Sequence, residues 1–101
     1  MKRLDEDVIE AELAKLHGWV HDAGAGTLAR TFEFEDFIAA FGFMTACAME
    51  AEKLEHHPDW SNSYGTVSVV LSTHSAGGIT ELDIELAEFM DAVALGMRGK
   101  H

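Results

Sequence analysis

The sequence predicts a single α+β domain spanning residues 1–101, in the order α-β-β-α-β-β-α. Its form is a four-stranded antiparallel sheet with three helices on one face. Three observations carry this reading. Three stretches place apolar residues at helical spacing, and the glycine-punctuated stretches between them read as two hairpins. The chain of 101 residues also has one proline, no low-complexity tract and no linker, which leaves room for one core only.

The first helix is expected over residues 5–17. Asp5-Glu6-Asp7 suits a helix N-terminus, Val8/Ile9, Leu13 and Leu16 follow at helical spacing, and Gly18 stops the run. Trp19 and Val20 open a strand, and Asp22-Ala23-Gly24-Ala25-Gly26 turns it. Thr27 to Phe34 returns with Leu28, Phe32 and Phe34 on one face, Arg30 being the exception. Asp36 caps a second helix from Phe37 to about Glu55, where Phe37, Phe41, Met44 and Ala48 are expected to form the core stripe with Ile38 beside it. Pro58 disfavours helical geometry at His57 and ends that helix just before the histidine pair. The second hairpin runs from Trp60 to Tyr64, through Gly65, and back along Thr66 to Thr73. On its return strand Val67, Val69 and Leu71 alternate with Ser68, Val70 and Ser72. Gly77-Gly78 breaks the chain. Thr80 with Asp83 three residues on forms a variant capping box, and the last helix is expected to bury Leu82, Leu86, Phe89 and Val93. The second face of the sheet is less apolar and is suited to cover by another subunit.

Composition excludes several classes. Seven Lys and Arg stand against 18 Asp and Glu, for a net charge of −11. So few scattered cations cannot neutralise a phosphate backbone, which argues against nucleic acid and against an anionic membrane surface. Cys47 is alone and has no internal disulfide partner, and its helical neighbours make it a small buried hydrophobe. No signal-peptide pattern opens the chain and no apolar run reaches membrane-spanning length, so a cytoplasmic protein is expected. No glycine-rich phosphate loop, Gly-x-Ser-x-Gly turn or activated cysteine is present.

The residues with chemistry cluster late in the chain. Glu52 and His56 are four apart, on one face of the second helix's end. His57, extended by Pro58, points elsewhere, and His74 follows the long strand just ahead of Gly77-Gly78. If the two hairpins lie side by side, the three imidazoles open on one end of the sheet with Glu52 and Glu55 close by. Histidine suits proton transfer near neutrality, so such a pocket fits paired acid and base work. The plainer alternative is that a histidine at a helix end only complements the helix dipole. His17 and His101 fit that plain role or solvation. Metal binding by His56, His57, His74 and Glu52 is the weaker reading, because adjacent histidines rarely converge on one ion and no His-x-His or His-x-x-x-His pair occurs.

At these residues the sequence resembles the pterin-4a-carbinolamine dehydratases. The matching pattern is Glu52, three residues, His56-His57-Pro58, five residues, Tyr64, nine residues, His74, eight residues and Asp83. Phe41-Gly42-Phe43-Met44, Ala51-Glu52-Lys53-Leu54 and Leu71-Ser72-Thr73-His74 extend the likeness, which covers about Leu13 to Met97. The chain departs at Glu55, where relatives often carry Asp, and at Ser61, where a larger apolar residue is common. The resemblance implies the same fold and the dehydration of a 4a-hydroxytetrahydropterin to the quinonoid dihydropterin, in recycling the pterin of an aromatic amino-acid hydroxylase. The pterin would be substrate, with neither metal nor cofactor required. By position it implies His56 and His74 as the acid/base pair and His57 as a further catalytic and substrate-orienting residue. Pro58 and Thr73-His74-Ser75-Ala76 would shape the pocket and bind substrate, with Glu52, Glu55, Asp83 and Trp19 in support. It also implies a homodimer or homotetramer, and it admits a non-catalytic alternative, since some members resemble transcriptional cofactors or assembly factors.

Overall fold

The computed structural model describes residues 2–98. The elements are α1 (Glu6–Leu13), β1 (Val20–Asp22), β2 (Thr27–Glu33), α2 (Phe37–Leu54), β3 (Asp59–Ser63), β4 (Thr66–Leu71), a short 3-10 turn (His74–Ala76) and α3 (Glu81–Arg98). This is the expected α-β-β-α-β-β-α order, with the 3-10 turn as an addition. The strands form one antiparallel sheet in the order β1-β2-β4-β3. Its central pairing sets Leu28 opposite Leu71, Arg30 opposite Val69 and Phe32 opposite Val67.

Strand alternation decides which face is covered. Leu28, Phe32, Val67, Val69 and Leu71 are buried on the helix-bearing face, with Trp60 packed at their margin. The opposite face presents small residues in register: Ala29 beside Val70, and Thr31 beside Ser68, which in turn lies beside Ser61. Close approach fixes the β3–β4 turn. Tyr64 adopts φ 52°, and a Cβ on Gly65 would lie 2.4 Å from the Phe34 carbonyl oxygen, while the Phe34 N–H donates to the Gly65 carbonyl at 2.8 Å. That turn ends β3 at Ser63, one residue short of the expected Tyr64. The first helix also ends earlier than expected, at Leu13. Lys15 and Leu16 N–H groups reach only three residues back, tightening the last turn ahead of Gly18 at φ 78°.

Two helices bury different faces from those the sequence predicts. In α2 the buried residues are Ala40, Phe43, Cys47 and Ala51, whereas Phe37 and Phe41 stack on each other in solvent and Ile38 is 81% exposed. Ala48 is exposed too, and of the expected stripe only Met44 reaches the core margin. The helix is apolar on nearly every side, so its pattern does not single out one face. The small Ala40, Cys47 and Ala51 let the helix approach the core closely. Phe43 packs against both Phe32 and Phe34, with ring centroids 4.6 and 4.9 Å away. In α3, Leu86 is buried as expected, but Leu82, Phe89 and Val93 sit at the margin. The inward face instead carries Asp83, Ile84, Ala87, Met90, Asp91 and Ala94. Two carboxylates with inward partners turn that helix.

Among the described residues no helix is long and apolar enough to cross a membrane. His101 lies outside the described residues.

Candidate functional site

The site is assembled by the end of α2, the loop after β4 and the start of α3. Asp36 caps α2 by accepting from the Ala39 N–H at 2.8 Å. The helix closes at Glu55, a left-handed residue at φ 54°, with the His56 N–H donating back to the Ala51 carbonyl at 3.0 Å. This reversal separates the consecutive histidines. His56 turns inward, its Nε2 2.6 Å from Asp83 Oδ1, and His57 stays in solvent with Nε2 2.8 Å from Glu52 Oε1. Glu52 therefore meets His57 and not His56, the partner that helical spacing predicts. The i,i+4 rule fails here because the left-handed Glu55 takes His56 off the helical path.

Asp83 is fully buried and accepts on both oxygens. Its Oδ2 receives the Thr73 hydroxyl at 2.8 Å and the Thr80 N–H at 2.9 Å, the second bond forming one half of the expected capping box. The Asp83 N–H returns to the Thr80 carbonyl at 3.1 Å. Thr73 in turn pins the loop, for its N–H donates to the Gly78 carbonyl at 2.9 Å and its carbonyl accepts from Ala76 N–H. His74 follows directly as the first residue of the 3-10 turn and is exposed. Asp83 thus ties His56 on one side to the His74 loop on the other. Ser75 is exposed, and Pro58 and Ala76 are half-buried around the same elements. Glu55 makes no side-chain hydrogen bond among the described residues, so its place here is set by its backbone.

Chemically this is an imidazole oriented by a buried carboxylate, whose other oxygen braces the loop carrying a second imidazole, with a third imidazole in solvent. Among the described residues no three His, Cys, Asp or Glu side chains converge as a metal-holding group. The candidate quartet His56, His57, His74 and Glu52 does not gather on one point, since two of its histidines take separate carboxylates. A cavity of about 260 Å³ lined in part by Arg3, His21, Gly26, Gly77 and Gly78 holds none of the three histidines. Burial pushes the Cys47 thiol up to about 12, so at neutral pH it stays protonated and unreactive.

Trp19 does not hydrogen-bond to any of the three histidines. Its indole N–H donates to Asp91 Oδ1 at 2.7 Å, and its ring meets Phe32 edge-on. Asp91 also receives Arg30 Nη1 at 2.5 Å and the His17 N–H at 2.9 Å, and the Arg30 guanidinium lies 4.1 Å over Phe32. This buried cluster is absent from the sequence reading. Its signal is Arg30, a lone cation on an apolar strand face, which requires a buried anion.

Known proteins resemble the chain in the same terms. The profile of the pterin 4 alpha carbinolamine dehydratase family matches residues 2–93. A Rhizobium leguminosarum protein, named provisionally as a pterin-4-alpha-carbinolamine dehydratase, is 52% identical over 93% of both chains. A Bradyrhizobium protein with the same provisional name is 54% identical, covering 96% of this chain and 98% of its own. A crystal structure titled as a transcriptional coactivator/pterin dehydratase from Brucella melitensis superposes with a TM-score of 0.89 at 48% identity, covering 92% of this chain and 99% of that one. A pterin dehydratase-like protein described as a RuBisCO assembly factor shares the fold, with a TM-score of 0.67 at 23% identity over 77% of this chain and 90% of that one. With the element order, the histidine spacing and near full-length identity all in agreement, the chain belongs to the pterin-4a-carbinolamine dehydratase family.

Proposed function

We propose that this protein dehydrates a 4a-hydroxytetrahydropterin to the quinonoid dihydropterin by acid/base catalysis from its histidines. The observation that carries the reading is the His56–Asp83 pair at 2.6 Å, braced through Thr73 to the loop that bears His74. In the reaction a base removes the N5 proton, the N5–C4a double bond forms and the C4a–O bond breaks. An acid protonates the departing hydroxyl, which leaves as water. Protons balance and no electrons change hands, so the substrate needs only two groups of opposite protonation state. His56 and His74 form that pair. His57, held by Glu52, binds and orients the pterin and gives secondary catalytic help. Pro58, Thr73, Ser75 and Ala76 shape the pocket, with Glu55 and Trp19 in support. Neither metal nor cofactor enters the scheme.

Stopped-flow measurement of carbinolamine decay, with and without the protein, tests the proposal. Acceleration by the wild type is expected, with His56→Ala and His74→Ala each returning the rate to the uncatalysed value while the circular dichroism spectrum is kept. Unchanged rates in both variants would overturn the site. The physiological setting proposed is cytoplasmic pterin recycling beside an aromatic amino-acid hydroxylase.

The second reading is a non-catalytic interaction module, favoured by the exposed Phe37, Ile38, Phe41 and Met49 of α2 and by the coactivator name carried by the Brucella melitensis structure. Partner capture without any rate acceleration would select it. Either reading accommodates a homodimer or homotetramer, which sedimentation velocity measures directly.

A further inference from the structure

We infer that Thr80 and Thr73 are positioning residues that act through Asp83 to fix the tautomer of His56, leaving Nδ1 as the atom that exchanges protons with substrate. The last clause rests on the function proposed above; the tautomer itself does not.

Counting donors gives the direction of every bond. The Thr73 hydroxyl has one hydrogen, and it goes to Asp83 Oδ2 at 2.8 Å. The 2.8 Å bond between Thr73 Oγ1 and Thr80 Oγ1 must therefore be donated by Thr80. Thr80 Oγ1 itself accepts from the Leu82 N–H at 3.3 Å. The chain runs one way, from the first turn of α3 through two hydroxyls into the carboxylate, and the Thr80 N–H adds a second donor to the same oxygen. A carboxylate receiving two donors on Oδ2 is an acceptor on Oδ1 also, so the hydrogen at the 2.6 Å contact belongs to His56 Nε2. The opposite tautomer would press a nitrogen lone pair against a carboxylate oxygen inside a buried site. With Nε2 bearing the proton, neutral His56 carries its unshared pair on Nδ1, for which the described residues provide no hydrogen-bond partner. Aligned bonds of this kind strengthen one another away from water.

Two-bond ¹H–¹⁵N correlation spectra of the histidine rings, recorded where His56 is neutral, read the tautomer directly. A pyrrole-type Nε2 and a pyridine-type Nδ1 in the wild type are expected; the reverse assignment would overturn the inference without any variant being made. Thr80→Val removes the first hydroxyl at nearly constant shape, and Thr80→Ser retains it. In T80V the His56 ring signals should shift toward a tautomer mixture. At the same time kcat should fall about tenfold, the size of one weakened hydrogen bond in the reacting state, while KM changes by less than about twofold. T80S should restore both readouts. Wild-type spectra and kcat persisting in a folded T80V would overturn the relay. An Nε2–H tautomer in a protein with no dehydratase activity would support the tautomer and overturn the function, whereas an Nδ1–H tautomer in an active enzyme would overturn the inference alone.

Discussion

Cys47 shows how one residue's burial sets a condition-dependent effect. Its thiol, pushed up to about 12 from an ordinary 9.0, keeps its proton in the native state where the unfolded chain releases it. The stabilisation this represents is complete below pH 9.0 and is lost as pH rises toward about 12. We expect Cys47→Ala to flatten the alkaline fall in stability by up to about 1.4 kcal/mol per pH unit, relative to wild type. Urea unfolding of both proteins at several pH values above neutral checks this, and equal slopes would count against it. Thiol reagents should label Cys47 only as fast as the protein opens. At the site, the histidine pair, its proline and its distance from His74 and Asp83 were legible in the sequence, because they are a pattern of spacing. The pairing of each histidine was not. Spacing assumes a continuous helix, and a carboxylate residue with left-handed backbone at Glu55 breaks it one step before the chemistry begins.

Elements were legible wherever period and polarity agreed. The strands alternate as expected because one sheet face is buried and the other is not. For α2 an apolar surface on almost every side left several rotations compatible with the sequence, and packing volume chose among them. Phe43→Ala should therefore cost about 3–5 kcal/mol, as for a filled aromatic site emptied in a core. Ile38→Ala should cost less than about 1 kcal/mol, since the residue is already mostly in water. Comparing their urea midpoints tests the observed rotation, and reversed magnitudes would restore the stripe that the spacing suggests. The orientation of α3 has another origin. Asp83 and Asp91 are two acids that polarity would place outside, yet each has donors waiting on the inner side. A sequence shows charge but not which charges already have partners.

Across the whole molecule the acidity is unevenly spread. Glu12 of α1 and Glu81, Glu85 and Glu88 of α3 line one groove, relieved among the described lining residues by Lys15, which lies 3.8 Å from Glu12. Like charges on neighbouring solvent-facing helices repel over distances that salt screens, about 10 Å at 0.1 M. The Arg30–Asp91 pair is mostly shielded from solvent and responds less. Raising KCl from about 10 mM to about 300 mM should thus raise Tm by a few degrees, measured by calorimetry, through relief of self-repulsion. A fall in Tm would mean that favourable ion pairs dominate.

The central strand pairing carries a consequence for how the molecule forms. β2 and β4 are neighbours in the sheet but stand on either side of the whole of α2 and β3, so pairing them closes a long loop before any reward is gained. The histidines enter from the end of α2 and from just past β4, and the carboxylate that holds His56 arrives later still on α3. The contact between His56 and Asp83 is a tertiary one that joins the end of α2 to the start of α3. Assembly of the His56–Asp83 pair should therefore be among the last properties acquired in refolding, appearing together with the cooperative closure of the sheet and not with the early formation of its helices.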